Sequence, residues 1–385
     1  MDNTSATAPG LGKLQMIGVA AAIAGITMFV LGITEPHIYQ SYMFGFMVWM
    51  MLTVGCVGMM ILVHVTSGTW GYPMIRFFEA GAKALPLMAL LFIPVIMFLP
   101  QIFPWANADI VAKSDVLQHK QHYLNPTFFG IRAAIYFGFW MLITWILSGL
   151  AKKEDRTGDE TYFIKRRNWA APGAVFFVLT MSFAMTDWIM SLEEFWFSTI
   201  FGLLTVVGSA LGATAACALY LMSLSKWQPF ERLLDVKQWR DMGNLLLTMV
   251  ILWGYMSFSQ LLIIWSANLP EEIVYFVKRR DGGWQVLGTA LVFLHFLLPF
   301  LLLLSSRLKR TAWMLGATAV FILAMRFADI VWMLIPSMGR GFHWTDLGAF
   351  LAIGGVWLTL FAFQLRQNAL LPRYSLIPTE ALEHA

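Results

Sequence analysis

Ten separate runs of about 20 predominantly apolar residues follow one another along the chain, each long enough as a helix to cross a hydrocarbon core about 30 Å thick. Such runs leave little choice of fold. In lipid every backbone N–H and C=O has to find a partner inside its own segment or in a closed barrel, and at this length that means helices. They fall at 14–33, 45–66, 84–103, 128–150, 173–191, 199–224, 245–266, 284–305, 312–335 and 345–365. The sequence therefore predicts an all-α integral membrane protein. Its charge content agrees, because only 12% of the 385 residues are charged, against about 25% in soluble domains.

A polar tail (1–13) precedes the ten-helix domain (14–365), and a second tail (366–385) follows it. A full-length span behind such a tail is unlike a cleaved signal peptide, so the first helix is expected to be retained. Lysine and arginine in short loops set orientation. The two tails and the even-numbered loops hold 18 of the 26 cations, the odd-numbered loops hold six, and Arg132 and Arg326 sit within spans. Both termini are therefore expected to be cytoplasmic. The net charge of +4 is spread over many loops, which suits anionic lipid and excludes nucleic acid as a partner. Cys56 and Cys217 both fall inside spans, so neither a disulfide framework nor a cysteine-ligated cluster is expected, and any redox metal should belong to another chain. Phosphate-loop, dinucleotide-binding and zinc-protease patterns are absent, which disfavours a primary pump or a soluble-type enzyme.

Spans 2 to 5 and 6 to 9 would begin on the same side, and their last members share a pattern: Ala184, Met185 and Asp187 in one, Ala324, Met325 and Asp329 in the other. The pattern suggests a parallel repeat, 45–191 and 199–335, folding as two four-helix bundles flanked by helices 1 and 10.

The stretch Ala184–Gly202 departs most from a string of apolar helices, with Asp187, then Glu193 and Glu194, then Phe195, Trp196 and Phe197. Counted from the inner ends of helices 5 and 9, Asp187 and Arg326 each lie 14 residues in, roughly 21 Å, so they share the outer half and can partner each other. Arg326 and Asp329 are three apart and can instead pair with one another, locking helix 9 into the bundle. If helix 5 continues through the loop, Asp187, Ser191 and Glu194 line one face, where a carboxylate could accept a proton from a bound hydroquinone. Glu193 and Glu194 could equally cap the start of helix 6. Near the outer end of helix 7, Gln260 is the residue placed for an interior hydrogen bond, whereas Ser266, Asn268, Glu271 and Glu272 read as interfacial and Pro270 as the end of the helix or the start of another.

His64 and His295 differ by about 12 Å in depth, so bis-histidine haem ligation within this chain is not expected. Each reads as a step of a proton path or as a satisfied interior group. His37, His119, His122 and His343 lie in outer loops without metal-ligand spacing.

Three segments together resemble a known family. They are Asp187, Trp188, Met190, Ser191, Leu192 and Glu193 with Trp196, Phe197, Ser198, Thr199 and Gly202; then Trp265, Asn268, Leu269, Pro270, Glu271 and Glu272; then Arg326, Asp329, Trp332 and Pro336 with His343, Trp344 and Asp346. With the tail Glu380, Ala381, Leu382, Glu383 and His384, they resemble the ActF membrane subunits of alternative complex III, relatives of the NrfD and polysulfide-reductase anchors. The resemblance covers the second half of the chain, while the first half is similar mainly in length and helix number. It implies a subunit without a redox centre of its own in a quinol:electron-acceptor oxidoreductase of bacterial cytoplasmic membranes. It also implies partners: an ActC-like homologous anchor holding the quinol pocket, an iron-sulfur subunit, multihaem and monohaem cytochromes c, and small membrane subunits. The cofactors implied are a quinone, menaquinone or ubiquinone, with haem c and iron-sulfur clusters in those partners. A purely structural scaffold and an independent secondary transporter are the alternatives; the transporter would show helix interruptions at corresponding positions of the two halves.

Overall fold

The computed structural model describes residues 10–367 and 369–372, so residues 1–9 and the matched tail Glu380–His384 lie outside the described residues. Ten helices are long and apolar enough to cross a membrane: α1 (Leu11–Leu31), α2 (Ile38–Thr66), α3 (Ile75–Met97), α4 (Pro126–Thr157), α5 (Thr161–Leu192), α6 (Phe201–Leu224), α7 (Val236–Ala267), α8 (Trp284–Leu304), α9 (Ala312–Met338) and α10 (Trp344–Gln367). No strand occurs among the described residues.

The apolar runs mark the hydrocarbon slab, not the whole helix. Both α4 and α5 extend beyond them into a charged stretch, where Lys152, Lys153, Lys165 and Arg167 keep their heads in water and the helical hydrogen bonds continue. The predicted third span, 84–103, begins nine residues too late. Its first turns, Ile75–Ala82, carry Arg76 and Glu79, and these bury by pairing with each other at 2.7 Å. A short turn at Lys83 and Ala84 separates them from the segment Leu85–Met97, whose Pro86 sits in the first turn where its missing N–H costs nothing.

Local signals fix several helix ends. Asn125 caps α4 by accepting from the Phe128 amide, with Pro126 leading the helix. Asp235 does the same for α7 through the Gln238 amide. Asn268 ends α7 in the left-handed region at φ 48°, and Pro270 then opens a separate helix, Pro270–Lys278.

Around α2, 72% of whose central stretch is buried, the helices pack in two closed rings. Helix α2 touches α3 and α5, α3 touches α4, and α4 touches α5; likewise α6 touches α7 and α9, and α8 touches both α7 and α9. Contacts of α6 with α2 and α5 join the rings, and α10 lies on α2. Helix α1 packs almost wholly on α10, antiparallel: Gln15 accepts from Arg366 at one end and Gly32 lies against Thr345 at the other. Between them the backbones nearly touch, since a Cβ on Gly25 would stand 2.1 Å from the Ala352 nitrogen. The face carrying Leu11 and Gln367 is termed the terminal face here, and the opposite one the distal face.

Candidate functional site

At the distal end of the first ring, Asp187 is fully buried and answered by Arg132 of α4, not by Arg326. The guanidinium grips the carboxylate with two bonds, Nε to Oδ2 at 2.8 Å and Nη2 to Oδ1 at 3.0 Å, and the Tyr136 hydroxyl donates to Oδ2 at 2.8 Å. Through Nη1, Arg132 also donates to the Tyr123 carbonyl at 2.7 Å, and its guanidinium lies 3.8 Å above the Tyr123 ring. Burial pushes the Tyr123 phenol up to about 12, with the Asp187 charge adding to the rise, so it stays protonated. A bidentate arginine in a dry setting holds its carboxylate in one place.

The polar face expected along a continuing α5 does not form. The α-helical turns stop at Trp188 and give way to a tighter turn, Met190–Leu192. Ser191 folds back, donating to the Asp187 carbonyl at 2.5 Å and accepting from Trp105 Nε1 at 3.1 Å. Neither glutamate caps α6, whose first residue, Phe201, follows Ile200 without a side-chain cap. Glu193 is buried and binds Lys278 at 2.5 Å, with Arg279 at 3.6 Å. Glu194 points the other way, accepting from the Ser114 hydroxyl, while Lys120 donates to its carbonyl at 2.7 Å. Gln260 is buried and accepts from Ser198 at 3.1 Å, the interior bond expected of it.

Arg279, by sequence a loop cation, is 2% exposed. Its guanidinium donates to the carbonyls of Trp332 at 3.0 Å, Tyr275 at 2.7 Å and Met333 at 2.8 Å, and to Ser337 at 2.7 Å, while stacking 3.5 Å over Tyr275. Burial pulls its pKa down, and the Tyr275 and Glu193 charges oppose that pull. Together with Glu193 it ties the link between the rings to the end of α9. Trp196 stacks on Tyr275 at 4.0 Å in the same knot, whereas Phe195 and Phe197 stay exposed.

In the second ring Arg326 and Asp329, both buried, pair on α9 as their spacing allows, and Trp253 of α7 donates to Asp329 Oδ2 at 3.2 Å. The arginine fits because Gly208 faces it from α6; a Cβ there would stand 2.6 Å from Nη2. His295 lies beside this group, its ring 4.2 Å from that of Trp253 at 65°. It is fully buried, and neither Nδ1 nor Nε2 has a hydrogen-bond partner in the protein. The helix around it, Leu291–Leu297, is a π-helix of seven residues, a rare, wider winding that is frequent at functional sites. An imidazole carries both a donor and an acceptor, so this ring offers two unused hydrogen-bonding atoms beside a buried ion pair.

His64 lies at the terminal end of α2, with Nε2 likewise unpartnered, among charges from three other helices. Arg76 bridges Glu79 and Asp155, Lys83 reaches Glu79 at 3.9 Å, and Arg166 binds Glu154. This cluster escaped the sequence reading because its members are scattered over the starts and ends of helices. The structure thus divides the predicted residues. Asp187 and Ser191 share one network, Glu193 joins Arg279, Arg326 and Asp329 share another network with His295 beside them, and His64 stands at the far end. Among the described residues no group of three or more metal-ligating side chains comes together.

No protein-family model matches this chain, and no curated protein matches it.

Proposed function

We propose that this chain is an ActF-type membrane anchor of a quinol:electron-acceptor oxidoreductase of the alternative complex III kind, lying in a bacterial cytoplasmic membrane with both termini inside. Its two rings of four helices are read as parallel four-helix bundles, with α1 and α10 flanking. Electrons would pass from quinol to iron-sulfur and haem c groups of partner subunits, beside an ActC-like homologous anchor and small membrane subunits. This chain supplies assembly and, in the second bundle, a proton route.

The observation that carries the reading is that the last helix of each ring holds a buried carboxylate with an arginine partner toward the distal face, Asp187 with Arg132 and Asp329 with Arg326. Asp187, Arg326 and Asp329 are among the residues that carry the family resemblance. Support against the transporter comes from α7, the counterpart of α3 in the repeat. It runs unbroken for 32 residues, whereas α3 turns at Lys83 and Ala84, so no matched interruptions flank a central site.

Asp187 and His295 are each enclosed on all sides, so a quinone ring could reach neither without side chains moving, and no quinone step is assigned to them. With both of its oxygens engaged, Asp187 is suited to holding α4 and α5 together. His295, with both nitrogens unpartnered beside Asp329 and Arg326, is the residue to which this reading assigns the proton route.

Isolation of the tagged chain from native membranes in mild detergent tests the proposal. Co-elution of c-type haem absorbance and an iron-sulfur signal is expected; a single polypeptide carrying neither overturns it. Within the assembled complex, Asp187→Asn is expected to lower the yield of complex while leaving quinol oxidation and proton release per complex intact. Loss of turnover in fully assembled complex would instead give Asp187 an active part.

A further inference from the structure

The terminal face of the first ring contains a buried ionic pocket closed by the chain's own continuation beyond α10. Arg76 and Glu79 of α3, Glu154 of α4 and Arg166 of α5 are each 2–6% exposed, and with Asp155 they surround a cavity of about 10 Å³. That is roughly the smallest volume that holds one water molecule. Several polar atoms here have no hydrogen-bond partner in the protein: Arg76 Nε, Glu79 Oε1 and Arg166 Nε, with His64 Nε2 in the same cluster. Buried charges left without hydrogen bonds are costly, and a bound water donating to Glu79 Oε1 and accepting from an arginine N–H relieves that cost.

The rest of the wall is Ile75, Ala151 and, from beyond α10, Pro372. The segment 369–372 comes back from α10 across the ring, Leu370 and Leu371 pack partly buried on the core, and the Tyr72 hydroxyl donates to the Pro372 carbonyl at 2.8 Å. Burial raises the Tyr72 pKa, and the phenol therefore remains a donor at physiological pH. The proline ring, held by the Tyr72 hydrogen bond, thus lies against a cluster of opposed charges.

We infer that residues 369–372 form a strap that seals a single-water ionic pocket, built from Arg76, Glu79, Glu154, Asp155 and Arg166, against the aqueous phase. Sealing keeps the surrounding dielectric low, which strengthens the Arg76–Asp155 and Arg166–Glu154 pairs that tie α3 to α4 and α4 to α5. The inference concerns the terminal face alone and stands whether or not the chain serves an oxidoreductase.

The test introduces a thiol into the cavity wall by Ala151→Cys and follows its reaction with a small water-soluble methanethiosulfonate. The protein is held in nanodiscs, where both faces are accessible. Cys56 and Cys217, both fully buried, report on the fold in the same sample. Tyr72→Phe removes one hydrogen bond from the strap and is expected to speed labelling roughly threefold to tenfold. Tyr72→Phe combined with Leu371→Ser is expected to speed it more than about tenfold, with Cys56 and Cys217 still unreacted. Equal labelling rates with and without these changes overturn the strap. If the double variant also exposes Cys56 and Cys217, Tyr72→Phe alone decides, and an unchanged rate there overturns it equally.

Discussion

Arg132 and Asp187 form a closed pair whose energetics can be separated by a double-mutant cycle. Asp187→Asn keeps the shape of the side chain but removes its charge, and Arg132→Met keeps much of the length of the other without its donors. The carboxylate accepts three hydrogen bonds, two from Arg132 and one from Tyr136. Bonds to charged groups contribute about 1.5–3 kcal/mol each, but most of that offsets the desolvation of two buried ions. Each single change should cost about 3–5 kcal/mol, because it leaves the other ion buried and unpaired. The double variant, with no stranded ion, should cost less than the sum by about 2–3 kcal/mol. Reversible unfolding in mixed micelles, followed by tryptophan fluorescence, reads all four corners, and Trp188 packs 6.2 Å from the Tyr136 ring as a local reporter. Additive costs would refute the argument, since they would mean that the two residues act independently despite the bidentate geometry.

Arg279→Lys loses the fan of bonds to Trp332, Met333 and Ser337 that an ammonium cannot span, and should cost about 2–4 kcal/mol in the same unfolding assay. His295→Leu removes two unpartnered buried nitrogens, so stability should hold or rise by up to about 2 kcal/mol. Proton-coupled turnover of the assembled complex should meanwhile fall at least about tenfold; full turnover would refute the proton role. At the start of α5, the Thr161 amide donates to Asp159 at 2.9 Å, and this backbone bond, with the Thr161 hydroxyl, holds the Asp159 carboxyl below its usual range. A lowered carboxylate pKa stabilises above the unfolded value and loses that effect as pH falls through the folded one. Protection from hydrogen exchange across 159–165, taken relative to the intrinsic rate at each pH, should therefore fall on acidification below about pH 4, and Asp159→Asn should remove that fall.

The number of spans was legible because a membrane helix must be apolar for its whole crossing, and nothing else in the chain imitates that signal. Partnerships were less legible. Equal depth paired Asp187 with Arg326, yet Arg132 lies six residues into α4 from the distal end and Asp187 five residues before the end of α5. The same depth count, applied to the arginine already noted within span 4, finds the true partner. What no count supplies is rotation about the helix axis, and rotation decides that Asp187 faces α4. Arg279 left no depth signal because it follows directly on the short helix Pro270–Lys278, outside every span, where folding back buries it. The π-winding at Leu291–Leu297 has no local signature either, since leucine, valine and phenylalanine serve any helix equally well.

The pairing of α1 with α10 places a constraint on how the protein is made. Helix α1 finds almost all its contacts on α10, and only 11% of its apolar stretch is buried in the folded molecule. At about 5–20 residues per second, the roughly 310 residues between them take about 15–60 s to synthesise. During that interval α1 waits in lipid, which its mean hydropathy of 2.1 allows without a partner. The glycine-lined seam cannot close before α10 has been made, so any stop upstream of α10 leaves α1 without its main partner.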